Sequence, residues 1–430
     1  MDEVLNNNIL AAAYLLVWIF TLVWYQAKER SADGGTAIIC AYILYAIFSL
    51  ISLNDSFFSL AYDPLTVFPY IYLYVMMMIA MSPLIYNHIN PTSVIVEPET
   101  KILSITSWLI IICSILILPN IIQNFGDGIV KLFTDTDAGN DAYMEQASNA
   151  DESGSGINNL SAIIYNSLSD ITVFLCFYYM TLKRKNIVLI VGLFFAILVG
   201  LLMPIMNGER SGVALSLLTV IGGYMLFRRY LSKRINRLVQ ITGIVLVIVI
   251  SLPIAAITVS RFGEKASGVG GYLTWYIGQG SLYFNNKALD AGGTRNGDRT
   301  MNLLKRVIDP STPKNYSERR DKYHNLKIDD YNFTTFVGDF VIDFGPVVPI
   351  FIFIGFNTYV ILKIRPDNEK IKVHQLLLLF FTLCISMQGG MYLFSFSDTG
   401  NLRIVTLFGL YGYLRYHEVL LEKFPLKTDE

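Results

Sequence analysis

Charge is scarce in this sequence. Only 16% of its 430 residues are Asp, Glu, Lys or Arg, against about 25% in an ordinary soluble domain. Cysteine is scarcer: Cys40, Cys113, Cys176 and Cys384 all fall inside apolar runs. None lies in a loop where a disulfide or a zinc cage would form, so they read as small packing residues. A metal-ligand cluster, a nucleophile elbow and a nucleotide-binding glycine loop are missing as well. Those absences argue against an ATP-driven pump and leave no cofactor to expect. No arginine ladder or carboxylate relay runs through the apolar segments, which weighs against a voltage sensor or a proton pump. The first apolar run, Ile9–Tyr25, is preceded by Asp2 and Glu3 and by no Lys or Arg. A cleavable signal peptide needs a basic start and a small-residue cleavage site, so this run reads as a retained span.

What the sequence does have is long apolar blocks. Hydrophobic residues make up 53% of the chain, and the mean hydropathy is +0.48. Leu103–Leu118, Ile187–Met206, Leu238–Val259 and Val347–Leu362 sit in such blocks. Each approaches the length of about 20 residues that a helix needs to cross a bilayer core of about 30 Å. A soluble core supplies one or two such runs, not about ten. The sequence therefore predicts an all-α polytopic integral membrane protein with about eleven spans. Their limits are 8–26, 36–53, 66–87, 102–119, 160–182, 186–206, 210–227, 237–259, 336–362, 374–395 and 402–416. The whole chain, 1–430, reads as one transmembrane domain, with no separate soluble one.

Lys and Arg in the short connections set the orientation. One set is basic: Lys28 and Arg30, Lys101, Lys183–Lys185, Arg228 to Arg237, Lys363 to Lys372, and the C-terminal tail. The alternate set is poor in both; 54–66 has neither. The basic set is expected in the cytoplasm, with the N-terminus outside and the C-terminus inside. Two long loops then lie outside. Residues 120–159 are acidic, with Lys131 alone opposing seven carboxylates, whereas 260–335 carries twelve Lys and Arg against eight Asp and Glu. Long loops cross membranes despite their charge, so the basic loop does not overturn the topology. A cationic surface at the outer bilayer face suits an anionic ligand there.

Four places carry candidate chemistry. Arg210 stands in Gly208-Glu209-Arg210-Ser211-Gly212 between two spans. Its planar fork would hold two oxygens of a phosphate, though a turn-capping pair with Glu209 explains it too. The start of the basic loop holds Arg261, then Tyr272, Trp275, Tyr276, Gln279 and Tyr283. Aromatics at an interface serve as belt anchors, but rings beside Gln and Asn also suit a sugar. The third place is Asn332-Phe333-Thr334-Thr335, followed by Gly338, Asp339 and Asp343-Phe344-Gly345. A spacing of four puts Asp339 and Asp343 on one helix face. They are either functional or counterions of the loop. His324 is the one histidine of the outer basic loop and is a possible proton acceptor.

These pieces together resemble the O-antigen and exopolysaccharide polymerases, the Wzy-type oligosaccharide repeat-unit polymerases. The resembling parts are Gly208–Gly212 between two spans, the large basic outer loop, and Asn332–Thr335 leading to Gly338 and Asp343-Phe344-Gly345. The layout of spans extends the likeness along the chain. The resemblance implies a GT-C-like polymerase/ligase architecture in the bacterial inner membrane. It implies an enzyme acting on oligosaccharides carried by undecaprenyl diphosphate, without a metal. Under it Arg210, Arg261 and Arg295, backed by Arg299, Arg319 and Arg320, would hold the departing diphosphate. Asp339, Asp343 or His324 would take the acceptor proton, and Tyr272, Trp275, Tyr276, Gln279, Tyr283 and Asn332 would line the glycan. It also implies a flippase and a chain-length regulator as partners, and no nucleic acid. A flippase for lipid-linked sugars and an O-antigen ligase are the rival readings.

Overall fold

The computed structural model describes residues 2–28, 32–134, 157–206, 210–262, 267–314, 316–329, 331–366, 369–393 and 397–423. They form a helical membrane protein with almost no sheet. In chain order the helices are α1 (Asp2–Lys28), α2 (Gly34–Leu53), α3 (Val67–Ala80), α4 (Ser82–Ile89), α5 (Ile102–Thr134), α6 (Ile157–Ser167), α7 (Ser169–Thr181) and α8 (Ile187–Met206). Then come α9 (Arg210–Phe227), α10 (Lys233–Phe262), α11 (Gly268–Tyr283), α12 (Asn302–Ile308), α13 (Tyr316–Lys322), α14 (Thr335–Phe344), α15 (Val348–Lys363), α16 (Val373–Gln388) and α17 (Asp398–Lys423). Two short strands, β1 (Val94–Val96) and β2 (Lys370–Lys372), pair in parallel with Val94 opposite Lys370.

Six of these helices are long and apolar enough to cross a membrane singly: those holding Leu5–Ala27, Gly34–Leu53, Ile102–Gln123, Ile187–Ile205, Gly212–Tyr230 and Lys233–Leu252. Two more spans are bent pairs: α3 with α4, at 51°, and Leu160–Ser167 with α7, at 58°. Hydropathy alone reads those pairs as continuous, because Met81 and Leu168 at the bends are themselves apolar. The last three expected spans are where sequence and structure part. Residues 336–362 divide into α14 and α15 at Gly345-Pro346-Val347, where the proline has no N–H to continue a helical ladder. Helix α16 has 16 residues. Helix α17 has 26 residues but is not among the helices apolar enough to cross. The structure thus supports six to eight spans.

The two expected loops are largely helical where described. Helix α5 runs on to Thr134, so only 135–156 of the acidic segment lies outside the described residues. The basic segment contains α11, which packs along α2 rather than over the surface. A Cβ at Gly278 would lie 2.4 Å from Phe48 C and Ser49 N, so glycine alone permits this approach. The Ser49 hydroxyl donates to Gly278 O at 2.5 Å across the same contact.

Long-range hydrogen bonds define two ends of the bundle. At one, Asn8 meets Asn54 at 3.2 Å, Asn285 exchanges two bonds with the Thr66 backbone, and Ser267 bonds Asp55 at 2.8 Å. This is the end that carries the basic segment. At the other end are the β1–β2 pair, the Thr92–Tyr230 bond and a buried cluster of Asp33, His88, Tyr25 and Arg229. Arg229, Lys370 and Lys372, from two of the short connections rich in Lys and Arg, lie at this second end. The four cysteines are free; Cys113, Cys176 and Cys384 are buried, and Cys40 lies exposed on α2.

Candidate functional site

The segment between α11 and α14 folds back through a tight turn. Asn296 (φ 53) and Gly297 (φ 82) are both left-handed, a conformation that glycine adopts without strain. The turn places Arg295, Arg299 and Thr300 against α14, and the Arg295 N–H donates to Ile342 O at 3.0 Å. At the start of α14, Thr335 (φ 69) is also left-handed. Its N–H and that of Phe336 donate to Met391 O (2.9 Å) and Gly389 O (2.8 Å). Three distant stretches, 295–300, 334–343 and 388–393, therefore meet at one junction.

Asp339 and Asp343 are the acidic centre of that junction, and both are fully buried. Asp339 Oδ1 faces Arg299 Nε at 2.9 Å and accepts from Thr334 Oγ1 at 3.4 Å. Its Oδ2 accepts the Leu393 N–H at 2.7 Å. Asp343 Oδ2 accepts the Thr300 N–H at 2.7 Å. Asp343 Oδ1 is buried with no hydrogen bond among the described residues, and the Arg295 guanidinium acts on this carboxylate electrostatically. Asp339 is thus a held anchor, while Asp343 keeps one buried oxygen without a hydrogen bond.

A second set of carboxylates stiffens the surrounding segment. Asp298, fully buried, bonds Lys305, Lys322 (2.7 Å) and the Tyr323 hydroxyl (2.6 Å). Burial raises its pKa, but these hydrogen bonds outweigh burial and hold the carboxyl below its ordinary value. Asp398 receives two bonds from Arg306, at 2.7 and 2.9 Å, and one from Asn302 at 2.8 Å. A lowered native pKa means that the unfolded chain takes up the proton first. Asp298 therefore stabilises the segment above its unfolded pKa of about 3.9. That contribution disappears as pH falls through the lower native value. Proteolysis of 290–330, followed from pH 3 to pH 6, is expected to slow with rising pH in the wild type and much less in Asp298→Asn. Equal acid limbs in the two proteins would remove Asp298 as the anchor.

No protein-family model, curated protein or solved structure matches this chain. The site rests on its own geometry.

That geometry distributes the sequence-predicted residues unevenly. Arg295, Arg299, Asp339 and Asp343 come together at the junction. Arg319 is buried, with 3% exposure, and Arg320 is an exposed partner of Asp329 at 2.8 Å. His324 is exposed, its Nδ1 2.8 Å from Asp321 O. Asn332 is half-buried, and its N–H donates to Asp329 O at 3.1 Å. The aromatic set lies on α11 and packs inward: Trp275 stacks on Phe58 (centroids 4.9 Å apart), Tyr272 meets the same ring edge-on, Tyr276 meets Phe333 and Tyr283 meets Tyr62. Gln279 accepts the Phe333 N–H at 3.2 Å. The described contacts use these side chains to seat α11. Arg210 opens α9 and Arg261 lies near the end of α10, but their side chains fall outside the described residues.

The junction borders a cavity of about 480 Å³. Rings of Phe336, Phe340, Phe353, Phe356, Phe381 and Phe408 line it, from α14, α15, α16 and α17. Thr300, Leu393 and Asn401 also line it, and the first two donate to Asp343 and Asp339 through their N–H groups. Asn401 donates to Thr300 O at 3.3 Å. Thr300, Leu393, Asn401 and Asp398 had no local signal in the sequence. Their partners lie 43 to 101 residues away. Among the described residues no three His, Cys, Asp or Glu side chains converge as metal ligands.

Proposed function

We propose that this chain is a membrane glycosyltransferase that joins oligosaccharide repeat units carried on a lipid diphosphate, as in the assembly of O-antigen or exopolysaccharide. One observation carries the reading. A buried cluster of two carboxylates and two guanidinium groups borders a ring-lined apolar cavity, and the two share Thr300 and Leu393. A substrate with a long apolar chain, an anionic head and a sugar matches that sequence of environments.

In the proposed reaction the acceptor hydroxyl oxygen attacks the sugar carbon bonded to the diphosphate. The carbon–oxygen bond to phosphate breaks, its electron pair stays on the diphosphate, and the hydroxyl proton passes to a base. Asp343, with one oxygen free of hydrogen bonds at the junction, is the base we favour over the exposed His324. Arginines fixed before the reaction stabilise the developing phosphate charge without reorganising. Arg210 is the first of these by its place between two spans, with Arg295 and Arg299 at the junction. The lipid is the undecaprenyl carrier of a bacterial inner membrane, and the junction faces outward.

Two bent spans favour a second reading, a flippase for the same lipid, because broken helices line the substrate sites of many transporters. Deletion of the gene and electrophoresis of surface glycan separate the two. Loss of the long-chain ladder with single-unit material retained supports the polymerase. Loss of all surface glycan, with lipid-linked units trapped in the cytoplasm, supports the flippase. Arg210→Ala is expected to slow chain growth by about 10²–10³. Full-length ladders from normally expressed Arg210→Ala protein would refute its role.

A further inference from the structure

The bent pair of α6 and α7 leaves carbonyl groups at the end of α6 without the next turn of helix to receive. Helix α17 supplies donors in its place. Arg403 Nε donates to Asn166 O at 3.0 Å, and Thr406 Oγ1 donates to Ser167 O at 2.6 Å. Arg403 spends only Nε on this contact. Its two terminal nitrogens make no hydrogen bond and no ion pair with a described residue. The contrast is Arg306, whose terminal nitrogens both hold Asp398. Asp170, in the first turn of α7, is buried and interacts with Arg403 electrostatically, yet does not form an ion pair with it.

A guanidinium anchored by Nε, with its fork open, is set to receive two oxygens of one oxoanion. Arg403 as a whole is partly buried beside the break, so its fork sits at the edge of the bundle where a ligand can reach it. The position also fits. Asp398, at the start of α17, is bonded by Arg306 and Asn302 of the basic segment. Arg403 lies five residues on, about 7.5 Å along the helix axis. Two residues before it, Asn401 faces the cavity. A step of two residues turns a helix by about 200°, so Arg403 points to the other side of α17. The N-terminus of the 13-residue α7 lies beside the break and adds a favourable dipole for an anion.

We infer that Arg403 is an anion-binding residue at the α6–α7 break that takes a diphosphate, on the opposite face of α17 from the apolar cavity. The inference rests on the glycosyltransferase reading, in which donor and acceptor each bring a diphosphate and two separate anion sites are needed. One side of α17 serves the partner whose bond breaks, and Arg403 holds the other.

The test uses the full-length protein in phosphatidylcholine nanodiscs, with labelled farnesyl diphosphate as probe and inorganic diphosphate as competitor. Arg403→Gln keeps a donor for Asn166 O and removes the charge; Arg403→Lys keeps the charge. Arg403→Gln is expected to weaken one class of farnesyl diphosphate site by about 10- to 100-fold while melting like the wild type. Arg403→Lys is expected to retain most of the affinity. Competition by inorganic diphosphate at that class assigns the site to the anion alone; failure to compete assigns it to the lipid headgroup. Wild-type affinity in Arg403→Gln overturns the inference and leaves the glycosyltransferase reading standing. So does a loss of binding that only tracks a lowered melting temperature in both variants. Absence of any probe binding to the wild type also overturns it, and the glycan ladder then judges the function separately.

Discussion

Asp339→Ala is expected to destabilise the protein by about 3–5 kcal/mol, the usual consequence of removing one partner of a buried ion pair. Arg299, 4% exposed, loses the carboxylate that faces it at 2.9 Å, and the Leu393 N–H loses its acceptor at 2.7 Å. The second loss adds about 1–3 kcal/mol if no water replaces the oxygen. Two further variants separate anchoring from catalysis. Asp339→Asn keeps an oxygen for Leu393 and drops the charge, so it should fall between the wild type and Asp339→Ala in thermal unfolding. Arg299→Met combined with Asp339→Leu removes both charges at once, and apolar replacement of a whole buried pair is often close to neutral. That double variant is expected to melt above Asp339→Ala, with the unpaired Leu393 N–H keeping it about 1–3 kcal/mol below the wild type, and on the glycosyltransferase proposal to make no long glycan. A folded Asp339→Ala protein with wild-type melting would show that the pair does not hold the junction. A double variant with full-length ladders would show that Arg299 does not serve the reaction.

The parts of this molecule that were legible in the sequence are those encoded locally. Run length is one: a helix such as Ile187–Met206 needs no partner to declare that it belongs in lipid. The four-residue spacing of Asp339 and Asp343 is another, and the structure does bring both to the same junction. The bends at Met81 and Leu168 were invisible because apolar residues form them. The chemistry of the basic segment was misleading for a different reason. Its charges invite the picture of a cationic surface, but Lys305, Lys322 and Arg306 are engaged by Asp298 and Asp398, and Arg299 by Asp339. Those pairings cross from 7 to 92 residues of chain, and a count of charges carries no information about which of them meet. Helix α11 shows the same limit. Its rings read as interface anchors or a sugar platform, whereas the glycine at 278 was the residue that allowed it into the bundle.

At the opposite end, Asp33→Ala is expected to be as damaging as any substitution at the junction. Asp33 caps α2 by accepting the Thr36 N–H at 3.1 Å, a contact worth about 1 kcal/mol. The same carboxylate accepts the Tyr25 hydroxyl, contacts His88 Nδ1 at 2.7 Å and faces Arg229 at 3.6 Å. It thereby ties together α1, α2, α4 and the turn after α9, where Asp33 and His88 are buried and Arg229 is partly so. Removing it leaves the Tyr25 hydroxyl, His88 Nδ1 and Arg229 without the oxygens they contact, and each buried group orphaned in this way costs about 1–3 kcal/mol. Asp33→Asn caps a helix as well as Asp does, so it should recover the capping share and lose only the electrostatic share. Thermal unfolding of the purified variants should rank wild type above Asp33→Asn, and Asp33→Ala last. Because this cluster lies at the end away from Asp343, the Asn variant should still build long glycan at a temperature where it stays folded. A folded Asp33→Asn protein that makes none would mean that the two ends are coupled, and the proposed division of labour between an anchoring end and a glycan-joining end would be wrong.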